Sequence, residues 1–307
     1  MDSQAALNTA KDSLKGLAVG DAFGEQWSAL SSGRDTSLEG PLRNRKTPPA
    51  AAWPWTDDTA MALSVGQILE RHGEVRPTEL ARAFGESFAA DDGRGYGLGM
   101  HELLPRLKTD PDGWARYVTD LFDGQGSLGN GAAMRIAPLG AYFYDDVDRA
   151  VEQAALAARV THAHPEGVAG AVAVAVAASL CARKDQQPLP ADAFIRQVMA
   201  HTPQGAVHDG LGQAAALPAS TTSTEAARVL GNGSRVRADD TVPYAVWCAA
   251  QNSDDLTQAL WETAQGLGDV DTTCAIAGGI VAARTGVERV SSEWLRRSEP
   301  LPDWVNT

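Results

Sequence analysis

The sequence predicts an all-α protein. Apolar residues recur at helical spacing along most of the chain, alanine-rich runs are frequent, and no stretch shows the strict apolar/polar alternation of a half-buried strand. Leu7, Ala10, Leu14, Leu17 and Ala18 mark one face of a first helix, and Gly20 and Gly24 read as its stop. Met61, Ala62, Val65, Ile68 and Leu69 mark a second helix; Leu80, Ala83, Phe84 and Phe88 mark a third; Trp114, Tyr117, Val118 and Leu121 mark a fourth. Further helices are expected over about 146–160, 166–183, 190–200, 242–251, 255–266 and 272–285. Two stretches read as irregular. Residues 28–54 carry Pro41, Pro48, Pro49 and Pro54, and residues 201–241 mix Gly, Pro, Ser and Thr around one short helical piece. Neither has the composition of a clean linker and no fixed-period repeat is present, so residues 1–307 are expected to form one domain.

At 307 residues, 44% hydrophobic and 21% charged, the composition is that of a soluble globular protein. The net charge of −13 argues against non-specific nucleic-acid binding, which relies on a basic footprint. It also means that any anionic ligand needs a local source of positive potential: bound cations, helix N-termini or loop N–H groups. The longest apolar run, 167–182, is short for a membrane span and reads as a buried helix. Met1-Asp2-Ser3-Gln4 opens no charged-then-apolar leader. Cys181, Cys248 and Cys274 all sit in apolar stretches, and the odd number reads as reduced core thiols. A cytoplasmic location and a monomer are expected.

Two short acidic clusters carry the chemistry. Trp55-Thr56-Asp57-Asp58-Thr59 and Asp269-Val270-Asp271-Thr272-Thr273 each place two carboxylates and two hydroxyls at the mouth of a helix-like run. Taken singly, each reads as a capped helix start. Adjacent carboxylates repel, however, and a cap requires one oxygen, so the repeated pattern points to an all-oxygen site for hard divalent cations. Gly266 and Gly268 permit the turn that would let Asp269 and Asp271 converge. The stretch Gly124-Gln125-Gly126-Ser127-Leu128-Gly129-Asn130-Gly131 is either a flexible surface loop or a nest of N–H groups around a pyrophosphate; it matches neither the dinucleotide-fold nor the Walker pattern. Thr161-His162-Ala163-His164-Pro165 opens the most apolar helix, with His162 a candidate for substrate contact and His164 for capping. Arg34, Arg43, Arg45 and Lys46 read as a solvated basic loop.

In this order, Gly-Leu-Ala-Val-Gly-Asp-Ala-Phe-Gly (16–24), Trp-Thr-Asp-Asp-Thr (55–59), Gly-Asn-Gly-Ala-Ala-Met-Arg-Ile-Ala-Pro-Leu-Gly (129–140), Thr-His-Ala-His-Pro-Glu-Gly (161–167) and Gly-Asp-Val-Asp-Thr (268–272) resemble the ADP-ribosylglycohydrolase family. The match spans roughly residues 10 to 286. The resemblance implies a compact orthogonal bundle of many helices with a dinuclear metal cleft holding two Mg²⁺ or Mn²⁺. It assigns the metals to Thr56, Asp57, Asp58, Asp269, Asp271 and Thr272. It assigns the ligand, ADP-ribose or an ADP-ribosylated substrate, to Gly126, Ser127, Gly129, Asn130, Gly131 and His162, with Phe122 stacking on adenine. Many members carry a glutamate eight residues after the glycine of Gly-Asp-Ala; here that position is Ser28, and Glu25 is the nearest carboxylate. Asp58 and Glu25 are therefore the candidate catalytic bases. The expected function is metal-dependent hydrolysis of the glycosidic bond between ADP-ribose and an acceptor. The competing expectations are a non-catalytic ADP-ribose or nucleotide binder, including a crystallin-like relative, and a His-Asp phosphohydrolase, for which His208-Asp209 in a Gly-rich loop is the only adjacent pair.

Overall fold

The computed structural model describes residues 3–306, and among them it contains 19 α-helices and no sheet. Every expected helix is present. The first, Ser3–Glu25, runs past both glycines that were read as its stop. Gly16, Gly20 and Gly24 line the face that packs along Val270–Thr285. A Cβ on Gly16 would lie 2.0 Å from Ala282 Cβ, one on Gly20 2.2 Å from the Cys274 carbonyl oxygen, and one on Gly24 2.4 Å from the Val270 carbonyl oxygen. The glycines are thus spacers that allow two backbones to touch, and their contact brings the start of the later helix against the end of the first.

This crossing makes a test of the fold. Alanine gains about 1 kcal/mol over glycine in a helix interior. At position 20, however, the obstructing atom is backbone and cannot swing away, and overpacking costs about 1–3 kcal/mol or more. Gly20→Ala is expected to lower the denaturant midpoint despite its better helix propensity. An unchanged or raised midpoint would contradict the crossing.

Pro165–Cys181 is the central helix. Its residues 167–179 are all buried, surrounded by Ala137–Tyr142, Val147–Arg159, Ala238–Gln251 and Val270–Thr285. Alternating alanine and valine suit it to burial on every side. No helix among the described residues is long and apolar enough to cross a membrane. Cys181, Cys248 and Cys274 are free and buried, and burial pushes the Cys181 and Cys248 thiols up to about 12.

The 28–54 stretch carries only short helical turns, at Ser28–Ser31, Thr36–Leu38 and Glu39–Arg43. Aromatic packing holds it in place. Phe23 stacks on Trp294 with ring centroids 4.4 Å apart, and Trp261 meets Phe23 edge-on at 4.9 Å, with Trp27 and Trp53 closing the cluster. Trp53 also exchanges backbone hydrogen bonds with the C-terminal segment, donating to Arg297 O at 2.7 Å and accepting from Glu299 N at 2.9 Å. Arg43 pairs with Glu39, and Arg45 with Glu262.

Leu98–Thr109 forms a helix where the sequence reading placed none, with Pro105 inside it. The 201–241 stretch holds two helices, Ala206–Ala216 and Ser223–Leu230, rather than one piece. His208-Asp209 lies on the first of these, not in a loop, with Asp209 exposed.

Candidate active site

The site is built where Asp57–His72 begins. Thr56 is its N-cap, accepting a hydrogen bond from Asp58 N at 3.3 Å. Asp57 N donates to Arg94 O at 2.9 Å, and Asp21, one turn before the end of the first helix, reaches across to take up further donors. Its Oδ2 accepts from Thr56 N at 2.9 Å, Thr59 N at 3.1 Å and Thr59 Oγ1 at 2.5 Å. With the helix start satisfied from outside, Asp57 and Asp58 are released from capping. Asp21 was absent from the sequence-derived site. Its signal was a charged residue inside the glycine-spaced stripe, where only a buried partner justifies it.

The second cluster is turned by Leu267 and Gly268, with φ of 54° and 79°. A Cβ on Gly268 would lie 2.2 Å from the Asn232 carbonyl oxygen, so this turn requires glycine. Asp269 is the N-cap of Val270–Thr285 by position, yet its side chain makes no cap hydrogen bond. It accepts instead from Asn130 Nδ2 at 2.7 Å. The two clusters meet at Asp58 Oδ2, which accepts from Thr56 Oγ1 at 3.1 Å and from Thr272 Oγ1 at 3.5 Å, across 214 residues of chain.

Burial raises the pKa of every aspartate in this group, and repulsion within the group adds to it at Asp57, Asp58 and Asp271. Burial lifts Asp21 to about 6, against the hydrogen bonds from Thr59 and Thr56. Burial and then the charge of Asp21 lift Asp57 to about 7. Asp58 rises well above the ordinary carboxylate range through burial and then Asp21 and Asp271; Asp271 does so through burial and then Asp269 and Asp21; burial raises Asp269. Such a group cannot be fully ionised without added positive charge. Among the described residues no three His, Cys, Asp or Glu side chains already stand in ligating position. The carboxylates are gathered by hydrogen bonds and burial, and the set closes on an ion only with side-chain adjustment. The donors nevertheless fit a hard cation. They are all oxygens, and Asp21 Oδ1 and Asp58 Oδ1 are buried with no hydrogen-bond partner among the described residues.

Above the acids opens a cleft of about 790 Å³, lined by Asp57, Asp58, Asp269, Asp271 and Thr272, by the 125–131 loop, and by His162. Gly126, at φ 71°, packs where a Cβ would fall 2.6 Å from Ala163 Cβ, which fixes the loop against the Thr161–His164 turn. Asn130 N donates to Val236 O at 3.3 Å, and Ala238 N to Leu128 O at 3.1 Å, so the loop is also fastened to the 231–238 segment. Ser127 is buried, and its Oγ accepts from Gly129 N at 3.2 Å. Gly131 starts the short helix Gly131–Met134. Phe122, at φ 55°, stands on the cleft wall and is 56% exposed. Leu98 and Val236, missed by the sequence reading, are exposed on the same cleft.

His162 is buried, and burial together with the Arg135 charge pushes its pKa down to about 3, so the ring is neutral. His164 caps Pro165–Cys181, its Nδ1 accepting from Glu166 N at 3.1 Å. Two predicted residues lie outside the cleft lining. Thr56 reaches it only through Asp58. Glu25 is half-buried, accepts from Ser28 Oγ at 2.6 Å, and is near enough for its charge to raise Asp271.

A family model described as ADP-ribosylglycohydrolase matches residues 2–306. The chain is 27% identical over 342 residues to the human protein named ADP-ribosylhydrolase ARH3, covering 96% of this chain and 90% of that one. It is 28% identical over 283 residues to an uncharacterized protein of Archaeoglobus fulgidus, covering 89% and 87%. A solved structure titled ADP-ribosylglycohydrolase-related protein complex superposes with a TM-score of 0.70 at 22% identity, covering 98% of this chain and 95% of that one, which is a likeness of fold. A match that runs almost from end to end, on a helical frame with the acids, the glycine loop and the histidine around one cleft, means that this chain belongs to the ADP-ribosylglycohydrolase family.

Proposed function

We propose that the protein is a divalent-cation-dependent hydrolase that cleaves the glycosidic bond between ADP-ribose and an acceptor. The observation that carries this reading is the meeting of two sequence-distant acid/threonine clusters at Asp58, below the glycine loop and His162. Thr56, Asp57, Asp58, Asp269, Asp271 and Thr272 would hold two Mg²⁺ or Mn²⁺. When bound, such ions orient ribose hydroxyls, acidify water and offset the charge of the diphosphate.

The chain's own groups supply the rest. Gly126, Gly129 and Asn130 N–H hold the 126–131 loop in shape, and Ser127 with the remaining loop N–H groups cradles the diphosphate. Phe122 offers a ring face to adenine. Cleavage at the anomeric carbon passes through an oxocarbenium-like state. Asp58 is the favoured base, because two hydroxyls hold its Oδ2 while its Oδ1 has no partner among the described residues. A carboxylate in that setting can orient a water and take its proton. Glu25, held by Ser28, is the other candidate.

The engagement of Glu25 by Ser28, and its place outside the cleft lining, favour a second reading: a binder of ADP-ribose without turnover. One assay separates the two. Release of free ADP-ribose is followed from ADP-ribosylated protein, nucleic acid and small acceptors, with Mg²⁺ or with EDTA. Release that stops on chelation is expected. Release that survives exhaustive chelation would remove the cation from the mechanism, and tight binding without release on any acceptor would favour the binder.

A further inference from the structure

Arg135 is fully buried and forms no ion pair among the described residues, an unusual state for a guanidinium. It lies over the Phe84 ring at 4.4 Å, and its Nη1 approaches Met61 Sδ at 3.6 Å. Its shortest polar contact is Nη2 to Thr161 Oγ1, at 2.7 Å. The same Oγ1 stands 2.7 Å from His162 Nδ1. These three residues form a chain that ends at His162, and both His162 and Arg135 border the cleft.

The chain has a direction. A guanidinium only donates, so Thr161 Oγ1 accepts from Arg135. The hydroxyl proton of Thr161 then has His162 Nδ1 as its acceptor within reach. The opposite arrangement, with Nδ1 protonated and donating, would leave a buried hydroxyl proton without an acceptor, which incurs its full desolvation penalty. Nδ1 is therefore the lone-pair nitrogen, and the ring proton sits on Nε2. Nε2 faces the glycine loop: a Cβ on Gly129 would lie 3.5 Å from it, and one on Gly131 3.3 Å. Among the described residues Nε2 has no hydrogen-bond partner, and glycine at both positions keeps the approach open.

We propose that Arg135 is a positioning residue which, through Thr161, locks His162 in the Nε2–H tautomer, so that the ring donates a hydrogen bond to an oxygen of the ligand between the glycine loop and the acids. The identity of that ligand as ADP-ribose rests on the function proposed above; the tautomer does not. The low pKa of His162 agrees with this, since a neutral ring can donate only from the nitrogen that carries its single proton.

The test is long-range ¹H–¹⁵N correlation NMR on the full chain with ¹⁵N-histidine, the His162 ring being assigned by its loss in His162→Gln. In the cation-free, ligand-free protein, Nδ1 is expected as the unprotonated nitrogen and Nε2 as the protonated one. Thr161→Val, which removes the hydroxyl at constant shape, is expected to give a mixture of tautomers and to weaken ADP-ribose binding in proportion to the Nε2–H fraction lost, about twofold for an equal mixture. Thr161→Ser is expected to restore both. A protonated Nδ1 in the parent protein overturns the proposal even if the valine variant does not fold, and so does a folded Thr161→Val that keeps the parent tautomer. A parent protein with the expected tautomer that gives no calorimetric signal with ADP-ribose would overturn the ligand reading and leave the hydrogen-bond chain standing.

Discussion

Asp57→Ala combined with Asp271→Ala is expected to abolish stoichiometric uptake of Mg²⁺ or Mn²⁺ in calorimetry and to lower ADP-ribose release by about 10³-fold or more. That magnitude follows from the several kcal/mol that a metal contributes to transition-state charge stabilisation, at ~1.4 kcal/mol per factor of ten. One aspartate comes from each cluster, so the pair removes both sides of the proposed cation site while leaving Asp58 in place. The fold is expected to tolerate the change. Asp57 is buried and Asp271 partly buried, and desolvation and neighbouring acids already oppose the ionisation of both, so their removal relieves repulsion. The metal-free double variant should thus melt at or above the metal-free parent at neutral pH. It should also lose the stabilisation that cations give the parent, about 2.7 kcal/mol when the ion is at 100 times its Kd. Full retention of uptake would place the cations elsewhere.

The cation-free parent is expected to lose stability as pH rises from about 4 to about 7. Asp57 titrates near 7 and Asp21 near 6 in the folded chain, against 3.8 for an ordinary aspartate. Over that window the folded chain holds more protons than the unfolded one. Stability is therefore fully present below the unfolded value and lost as pH climbs through the folded values. A tenfold difference in proton affinity between the two states is worth ~1.4 kcal/mol. A loss of a few kcal/mol at ~2–4 °C per kcal/mol lowers the melting temperature by roughly 5–10 °C between about pH 5 and pH 8. Millimolar Mg²⁺ should flatten this slope, because cation binding takes the deprotonated acids and releases their protons. A cation-free melting temperature that is flat or rises across the window would contradict the raised carboxylates.

The helices were legible wherever an apolar face repeats without interruption, as in Asp57–His72 and Val270–Thr285. They were hidden where the local signal points the other way. Gly97, Gly99 and Pro105 mask Leu98–Thr109, whose buried Leu103, Leu104 and Leu107 hold it against Pro77–Ala90. Gly20 and Gly24 read as a terminus because glycine commonly ends a helix, whereas here tertiary contact with Val270–Thr285 requires the missing side chains. The acids of the site were legible because two of them recur together in each cluster. Asp21 and Arg135 were not. Each is a single charge in an apolar setting, and its partners, Thr59 in one case and Thr161 in the other, lie 38 and 26 residues away. Asp240 was missed for another reason: it lies in a charged stretch that reads as solvated, yet it is buried, binds Arg235 and shapes the turn that presents Val236 to the cleft. Glu25 and Ser28 were visible as a departure from the family pattern, and their mutual hydrogen bond emerged only from the folded chain.

Anomalous diffraction from crystals soaked in Mn²⁺ tests the pairing of the clusters most directly. Anomalous peaks should lie between the Asp57-Asp58 and Asp269-Asp271 carboxylates, with Asp58 and Thr272 in the same ligand set. Crystals that take up Mn²⁺ only on surface acids, leaving Asp58 and Asp271 without an ion between them, would contradict it.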